Sequence, residues 1–516
     1  MIPGVHSLAE TPISADVLAT ISNGPSAYNL ATRTWISAGT DNPPYTMFKG
    51  RVISPLAVDR SIPITPDAAR RVLLQLGDMT LMNADGELDD MVRTRAIDGR
   101  RVEVRMVSRK GRLADSTVLF KGTAAGWTLA DPQTLRLALR DGAWELITPI
   151  QENLYGGTGV LDGTEDLTGK PKPKAYGEVY NIRPVLVHPL LGIRQFNDGP
   201  AQEVMAVYDA GEALTFAGSV ADIVAAAAPA PGTYITQVTG GYIRTTTQPL
   251  GEITADVKGD APGGVYINTV AEIAYRLIRI NGRFPDGRIA ASMFETLLTK
   301  QPAPVGFYTG TDPVTIADAL DLLLGSIGGW WGPNRAGSIE VDRFDLPTDR
   351  IAARLDERKI LSLETGEPPE SVSPAVWRVV VGYRRNWTVL DPSAIAGIVK
   401  DTEPNHFSFL TQELREATYE DVTVRTRHLM AKEMRISTLF VNEADAKVEA
   451  ERLGVIWGVN RFIPRIDLKT HGMMIGLGRT IEITFPRYGF ERGVRVVVVG
   501  NGIDAENNAS FIEVFH

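Results

Sequence analysis

Two distant stretches of this chain read alike. Gly99-Arg100-Arg101-Val102-Glu103-Val104 and Gly478-Arg479-Thr480-Ile481-Glu482-Ile483 both follow the pattern Gly-Arg-x-aliphatic-Glu-aliphatic. An apolar strand closing on Gly122 follows the first, 23 positions after Gly99; one closing on Gly500 follows the second, 22 after Gly478. A further strand comes after each, over 134–139 and over 510–515. An internal repeat constrains architecture before any motif does. Its order and spacing predict two related β-barrels, one early and one terminal. The competing reading is two meanders that share turn chemistry by chance.

Periodicity carries the same message elsewhere. Val102, Val104 and Met106 alternate with Arg101, Glu103 and Arg105, and Leu135, Leu137 and Leu139 alternate with Thr134, Arg136 and Arg140. Ile481, Ile483 and Phe485 alternate with Thr480, Glu482 and Thr484. A period of two with charged partners makes sheets with one wet face. The run Val496-Val497-Val498-Val499 predicts a strand buried on both faces. Asp85-Gly86 and Asn501-Gly502 mark tight turns.

Three helices interrupt the strands. Asn268 is placed to cap one with Val270, Ile273, Ala274, Leu277 and Ile278 on a single face. Asp312 is placed to cap a second, with Pro313 at its first position and Ile316, Ala319, Leu320, Leu323 and Leu324 on its face. Asn442 is placed to cap a third that ends near Gly454. The predicted fold class is mainly β with α+β inserts: two related β-barrel domains bracketing smaller α/β domains. The boundaries are an N-terminal arm at 1–30, a first β-barrel at 31–165 and a β-rich insert at 166–260. An α/β domain follows at 261–363, with helices near 268–280 and 312–324. A second β-barrel takes 364–516, with a helix near 442–453. Gly- and Pro-rich stretches at 156–173, 225–232 and 364–374 read as linkers or loops.

Composition removes whole classes of chemistry. The 516 residues include no Cys, which excludes disulfides, thiolate zinc sites, iron–sulfur clusters and a cysteine nucleophile. Lys plus Arg number 53 and Asp plus Glu 62, a net charge of −9 that argues against broad binding to nucleic acid or anionic membranes. No apolar stretch approaches the ~20 residues of a membrane span. Met1-Ile2-Pro3-Gly4-Val5-His6 lacks the basic and apolar regions of a signal peptide.

Motif searches find no reactive centre. Between Gly163 and Gly169-Lys170-Pro171 five residues stand where a phosphate loop has four, and Pro171 replaces its magnesium-binding hydroxyl. Gly157-Thr158-Gly159-Val160-Leu161-Asp162-Gly163 has one residue too many for a dinucleotide fingerprint. Asn83-Ala84-Asp85-Gly86-Glu87-Leu88-Asp89 resembles a calcium loop, but Leu81 and Val92 stand where its key carboxylates belong, so it reads as a turn. His6, His188, His406, His428, His471 and His516 show no metalloprotease spacing. No catalytic residue, metal ligand or cofactor site emerges. Trp330-Trp331, set between glycines, reads as a core or interface pair ahead of a sugar platform. Lys170-Pro171-Lys172-Pro173-Lys174 reads as a solvated linker.

Leu167-Thr168-Gly169-Lys170-Pro171-Lys172-Pro173-Lys174-Ala175-Tyr176-Gly177-Glu178-Val179-Tyr180-Asn181-Ile182-Arg183-Pro184 resembles a phrase of tail proteins from tailed phages and prophages. Leu81-Met82-Asn83-Ala84-Asp85-Gly86, Arg140-Asp141-Gly142, Phe196-Asn197-Asp198-Gly199-Pro200 and Val207-Tyr208-Asp209-Ala210-Gly211 are similar to the same proteins. In outline the whole chain resembles the baseplate hub of long-tailed phages. That resemblance implies two related β-barrels with α/β inserts in a homotrimeric ring. It also implies a structural part rather than an enzyme, without cofactor. The implied place is the virion's tail tip, after assembly in the host cytoplasm. The implied partners are further copies of the chain, the tail tube or distal tail protein, other tail-tip proteins, and viral DNA in transit. The segment 177–260 departs from the hub pattern.

Under this reading the residues to watch are Arg101, Glu103 and Arg105 in the first repeat, Arg479 and Glu482 in the second, and Trp330 and Trp331. All are expected at interfaces. Two other readings compete: a hexameric distal tail protein, and a tail-associated carbohydrate-binding or lytic protein.

Overall fold

Alternation in the sequence becomes pleated sheet in the computed structural model, which describes residues 15–23, 26–64, 71–94, 96–365, 370, 373–469, 472–506 and 509–516. Strands take 40% of the chain and helices 20%, so the fold is mainly β. Residues 1–14 of the expected N-terminal arm lie outside the described residues. From Ala15 onward the chain is a strand of the first sheet.

That sheet has nine strands. At its centre Ala15–Asn23 pairs antiparallel with Arg101–Ser108, which pairs with Thr117–Asp131, which pairs with Thr134–Arg140. Val102, Val104 and Met106 point into its core together with Leu119, Leu135 and Leu137. The terminal sheet repeats the arrangement: Thr480–Ile483 pairs with Val494–Asp504, which pairs with Ala509–Phe515. All four valines of the run Val496 to Val499 are buried, as their continuous β-branched character requires.

Neither sheet closes into a barrel, contrary to the expectation. Each curls until opposite margins are joined by a short link, and each link breaks the ladder. In the first sheet only Arg51 separates Met47–Gly50, near one margin, from Val52–Ser54 at the other. The Arg51 amide turns back to Lys49 O at 2.8 Å. In the terminal sheet the edge strands Ala353–Leu355 and Ile360–Glu364 are joined by a turn in which the Lys359 and Ile360 amides both bond Asp356 O. After Val52–Ser54 the chain leaves the first sheet and returns to it at Met79–Met82. Ala57–Ser61 pairs antiparallel with Val494–Asp504 of the terminal sheet, and Leu73–Leu76 pairs with Ala57–Ser61.

Between the two meanders lie smaller units. Lys174–Ile182, Ala201–Asp209 and Ile253–Asp260 form most of a five-stranded sheet whose edge is Gly306–Thr309. A second five-stranded sheet runs from Val185–His188 to Thr215–Ser219. A three-stranded sheet centred on Val376–Tyr383 carries the helix Glu443–Trp457.

The helices form where the apolar spacing places them, but their caps differ. Thr269, not Asn268, opens Val270–Arg276, because its side chain and that of Glu272 form a capping box. Thr315, not Asp312, opens Ile316–Ser326. Residues before it stay extended: the Ile150 amide bonds Val314 O at 2.8 Å, and Ile316 N–H bonds Thr148 O at 2.9 Å. Asn442 does stand at its cap, but that helix continues past Gly454 to Trp457. Gly454 serves packing instead, since a Cβ there would lie 2.3 Å from the Tyr419 ring. Among the described residues, no helix is long and apolar enough to cross a membrane.

The helix Ile316–Ser326 buries Ile316, Ala319, Leu320, Leu323 and Leu324 in one core that also reaches Val496 and Phe515 of the terminal sheet. Replacing fully buried Leu320 with Asp places an unpaired charge there and costs about 3–5 kcal/mol. A thermal melt should show a large loss of stability; an unchanged melting temperature contradicts the packing.

Candidate interaction site

The two repeats are matched antiparallel meanders opened by the same backbone device. Gly99 and Gly478 hold φ of 74° and 71°, a region open to glycine at little cost. Their amides then bond Ala124 O at 2.9 Å and Val498 O at 2.8 Å. From there Val102 faces Gly122, whereas Ile481 faces Val496. Gly122 and Gly500 therefore do not correspond, although their spacing in sequence does: Gly500 faces Glu513 and Ser61. The second hairpin is shorter, and its long strand runs on past the meander.

In the first repeat the polar face is as the alternation predicts; in the second Thr480, expected on the wet face, is buried. Arg101 and Arg479 are exposed and have no ion pair among the described residues. Glu103 and Arg105 are half-buried and pair with each other; Glu103 also meets Lys121 Nζ at 3.2 Å, and Arg105 donates to Ser116 Oγ at 3.1 Å. Glu482 meets Arg354 Nε at 3.0 Å. Among the described residues the first repeat thus presents two exposed arginines without an ion pair, Arg100 and Arg101, and the second one, Arg479, which stands at the position of Arg100; each repeat also carries an internally paired glutamate. The two sets belong to separate sheets.

Trp330 and Trp331 are 0% exposed, which corrects their placement at an interface. They lie on the strand Gly329–Pro333, and burial of both rings takes them out of reach of a partner or a sugar. The Trp331 indole N–H donates to Asp321 Oδ1 at 2.6 Å, and Arg71 donates to Asp321 Oδ2 at 2.9 Å while its guanidinium stacks 4.9 Å from the Trp331 ring centroid. Trp330 lies against Gly478. The pair therefore joins the N-terminal segment, the central helix and the second repeat. Its adjacent glycines are explained by close approach: a Cβ at Gly332 would lie 2.6 Å from Val72 Cβ.

The other motifs also resolve into structure. In the calcium-like stretch Arg51 donates to Asp85 Oδ1 at 2.9 Å and Oδ2 at 2.6 Å and also pairs with Glu87, while Lys49 pairs with Glu87. Hydrogen bonding from Arg51 lowers the Asp85 carboxyl to about 2. In the glycine-rich stretch the Gly157 and Gly159 amides bond Asp162 O and Gly163 O, and the Gly169 amide bonds Tyr155 O, so these donors are turned inward. A polar cavity of about 390 Å³ is lined by Lys174, Tyr176, Asp198, Asp260 and Arg276. Its cations share one carboxylate, Arg276 meeting Asp260 at 2.9 Å and Lys174 meeting it at 3.6 Å, while Asp198 Oδ2 accepts from Asn153 Nδ2 at 2.8 Å. Among the described residues no group of His, Asp and Glu could hold a metal ion. His6 and His471 lie outside them.

No family model matches the chain, and no curated protein matches it. Among solved structures it is similar to the tail protein from Neisseria meningitidis MC58, at 11% identity and a TM-score of 0.43, over 97% of this chain and 96% of that one. It is similar to the 43 kDa tail protein of prophage MuSo2 from Shewanella oneidensis, at 8% identity and 0.40, over 97% and 98%. It is also similar to prophage tail protein gp18 from Listeria monocytogenes EGD-e, at 6% identity and 0.31, over 97% and 94%.

Two expectations follow. Gly99→Ala costs about 1–2 kcal/mol through its backbone alone, since a Cβ there meets open space. Gly478→Ala costs more, because that Cβ would also press to 3.1 Å from Trp330; equal denaturation midpoints for the two variants contradict this packing. The Asp85 carboxyl, lowered in the folded state, stabilises the fold above its ordinary value of 3.8, and that stabilisation is lost as pH falls toward about 2. Acid titration of wild type and Asp85→Asn should show a stability difference at neutral pH that vanishes at the acid end.

Proposed function

We propose that this chain is a structural protein of a phage tail, the baseplate hub that joins the tail tube to the tail tip. The observation that carries the reading is the pair of matched meanders, each opened by a left-handed glycine and each in a strongly curled sheet. Three such chains present six similar faces. A six-fold tube can then dock on a three-fold hub through pseudo-equivalent contacts. The resemblance of the first 210 or so residues to tail proteins supports the same assignment.

In this role the exposed Arg101 and Arg479, with their paired neighbours Glu103, Arg105 and Glu482, form the docking faces toward the tube or distal tail protein. The net charge of −9 keeps passing DNA from adhering to the channel wall. The part is built in the host cytoplasm and used in the virion, where a Cys-free chain is indifferent to redox conditions. It performs no catalysis and needs no cofactor.

Native mass spectrometry of the purified protein tests the reading, with a trimer expected. A stable hexamer moves the chain to the distal tail role, and a monomer at all concentrations sinks both. The double variant Arg101→Glu, Arg479→Glu should keep its stability within about 0.5 kcal/mol while losing binding to tail tubes; retained tube binding contradicts the assigned faces.

A further inference from the structure

The chain carries an apolar tip flanked by basic residues and an apolar groove with carboxylates on its rim. The tip lies between the helix Val422–Arg427 and the strand Lys432–Ser437. There Leu429 is 93% exposed and Met430 79%, side by side, a costly place for two large apolar groups without a partner. Arg425, Arg427 and Lys432 flank them, while the neighbouring carboxylates Asp421, Glu420 and Glu433 are occupied, Asp421 in capping the helix and the other two by Arg378. The groove, of about 440 Å³, runs between the helices Val270–Arg276 and Ala291–Lys300 and is floored by Ile267, Ala271, Tyr275, Ile280, Phe294 and Leu298. Two arginines on its rim are already neutralised, Arg276 by Asp260 at 2.9 Å and Arg279 by Asp286 at 2.6 Å. Two rim carboxylates remain: Glu272, bonded only within its own cap, and exposed Glu295, which has no ion pair among the described residues. A basic tip thus exists on the same chain as an acid-rimmed apolar groove.

We propose that the occupant of this groove is a second copy of the chain, seating its Leu429–Met430 tip there with Arg427 facing Glu295. Tip and groove are different surfaces, so the contact is heterologous and, repeated around an axis, closes a ring. The inference rests on the self-assembly part of the function proposed above and names the surfaces that carry it. Basic and apolar groups together also suit an anionic membrane. The groove and the chain's own acidic balance favour a second copy.

A chain without native cysteines makes the test direct. Full-length Met430→Cys mixed with full-length Glu295→Cys under mild oxidation should give an intermolecular disulfide band that neither variant gives alone. Leu429→Asp with Met430→Asp should weaken self-association more than tenfold by mass photometry. Arg427→Glu should weaken it several-fold, and Arg427→Glu with Glu295→Arg should restore it. Wild-type assembly with no mixed disulfide and no effect of the tip variants overturns this interface and leaves self-assembly standing. A wild-type protein that stays monomeric overturns both. Flotation of the wild type, but not of the tip variant, with phosphatidylglycerol vesicles, at unchanged self-association, assigns the tip to a membrane and overturns the proposal.

Discussion

The ladder between Ala57–Ser61 and Val494–Asp504 holds this fold together. It pairs Val58 with Ile503 and Asn501 with Arg60, joining strands from opposite ends of the chain. The Ile62 amide extends it with a 2.7 Å bond to Val499 O. Such a contact closes a very long loop, yet loop-closure cost rises only slowly with length, so one well-buried ladder can offset it. Its consequence is architectural. The strand that could have extended the first sheet beyond Val52–Ser54 is given to the other sheet, and two curled meanders become one body.

Side chains consolidate that union. Ile503 packs into the core of the first sheet while its neighbours Val496 to Val499 pack into the central core. Arg60, buried in the clasp 3.7 Å from Glu340, is tied to the strand Ile339–Arg343, which pairs antiparallel with Gly329–Pro333, and burial holds its guanidinium below the usual range. Arg452 does similar work on the far side. It donates to Glu449 Oε1 at 2.6 Å, to Phe344 O at 2.6 Å and to Ile327 O at 3.2 Å, fastening the helix Glu443–Trp457 to the central unit. Breaking a pair this deeply buried is costly even where forming it gained little.

Local physics made much of the fold legible. A period of two predicted Val102–Val104–Met106 and Ile481–Ile483 as strands with one wet face, because side-chain direction in a strand depends only on position. Apolar spacing located the helices, but not their caps: Thr315 replaced Asp312 because residues 148–151 draw the preceding segment into extended pairing. Gly454 signalled a stop and instead admits Tyr419. Trp330 and Trp331 read as a core or interface pair and are both core, since Gly332 makes room for Val72 and Gly478 for the Trp330 ring. Least legible was the clasp, because nothing in residues 57–61 says that their partner lies near the other end of the chain. The Leu429–Met430 tip was equally silent, because exposure depends on tertiary packing and two adjacent apolar residues carry no periodicity of their own.

Through the clasp the two meanders form one cooperative unit. Native-state hydrogen exchange of the full chain tests this most directly. Amides along Ala57–Ser61 should exchange with the same free energy as those along Val494–Asp504, both at the level of global unfolding. Rapid, independent exchange of 57–61 with protection retained in 494–504 would contradict it.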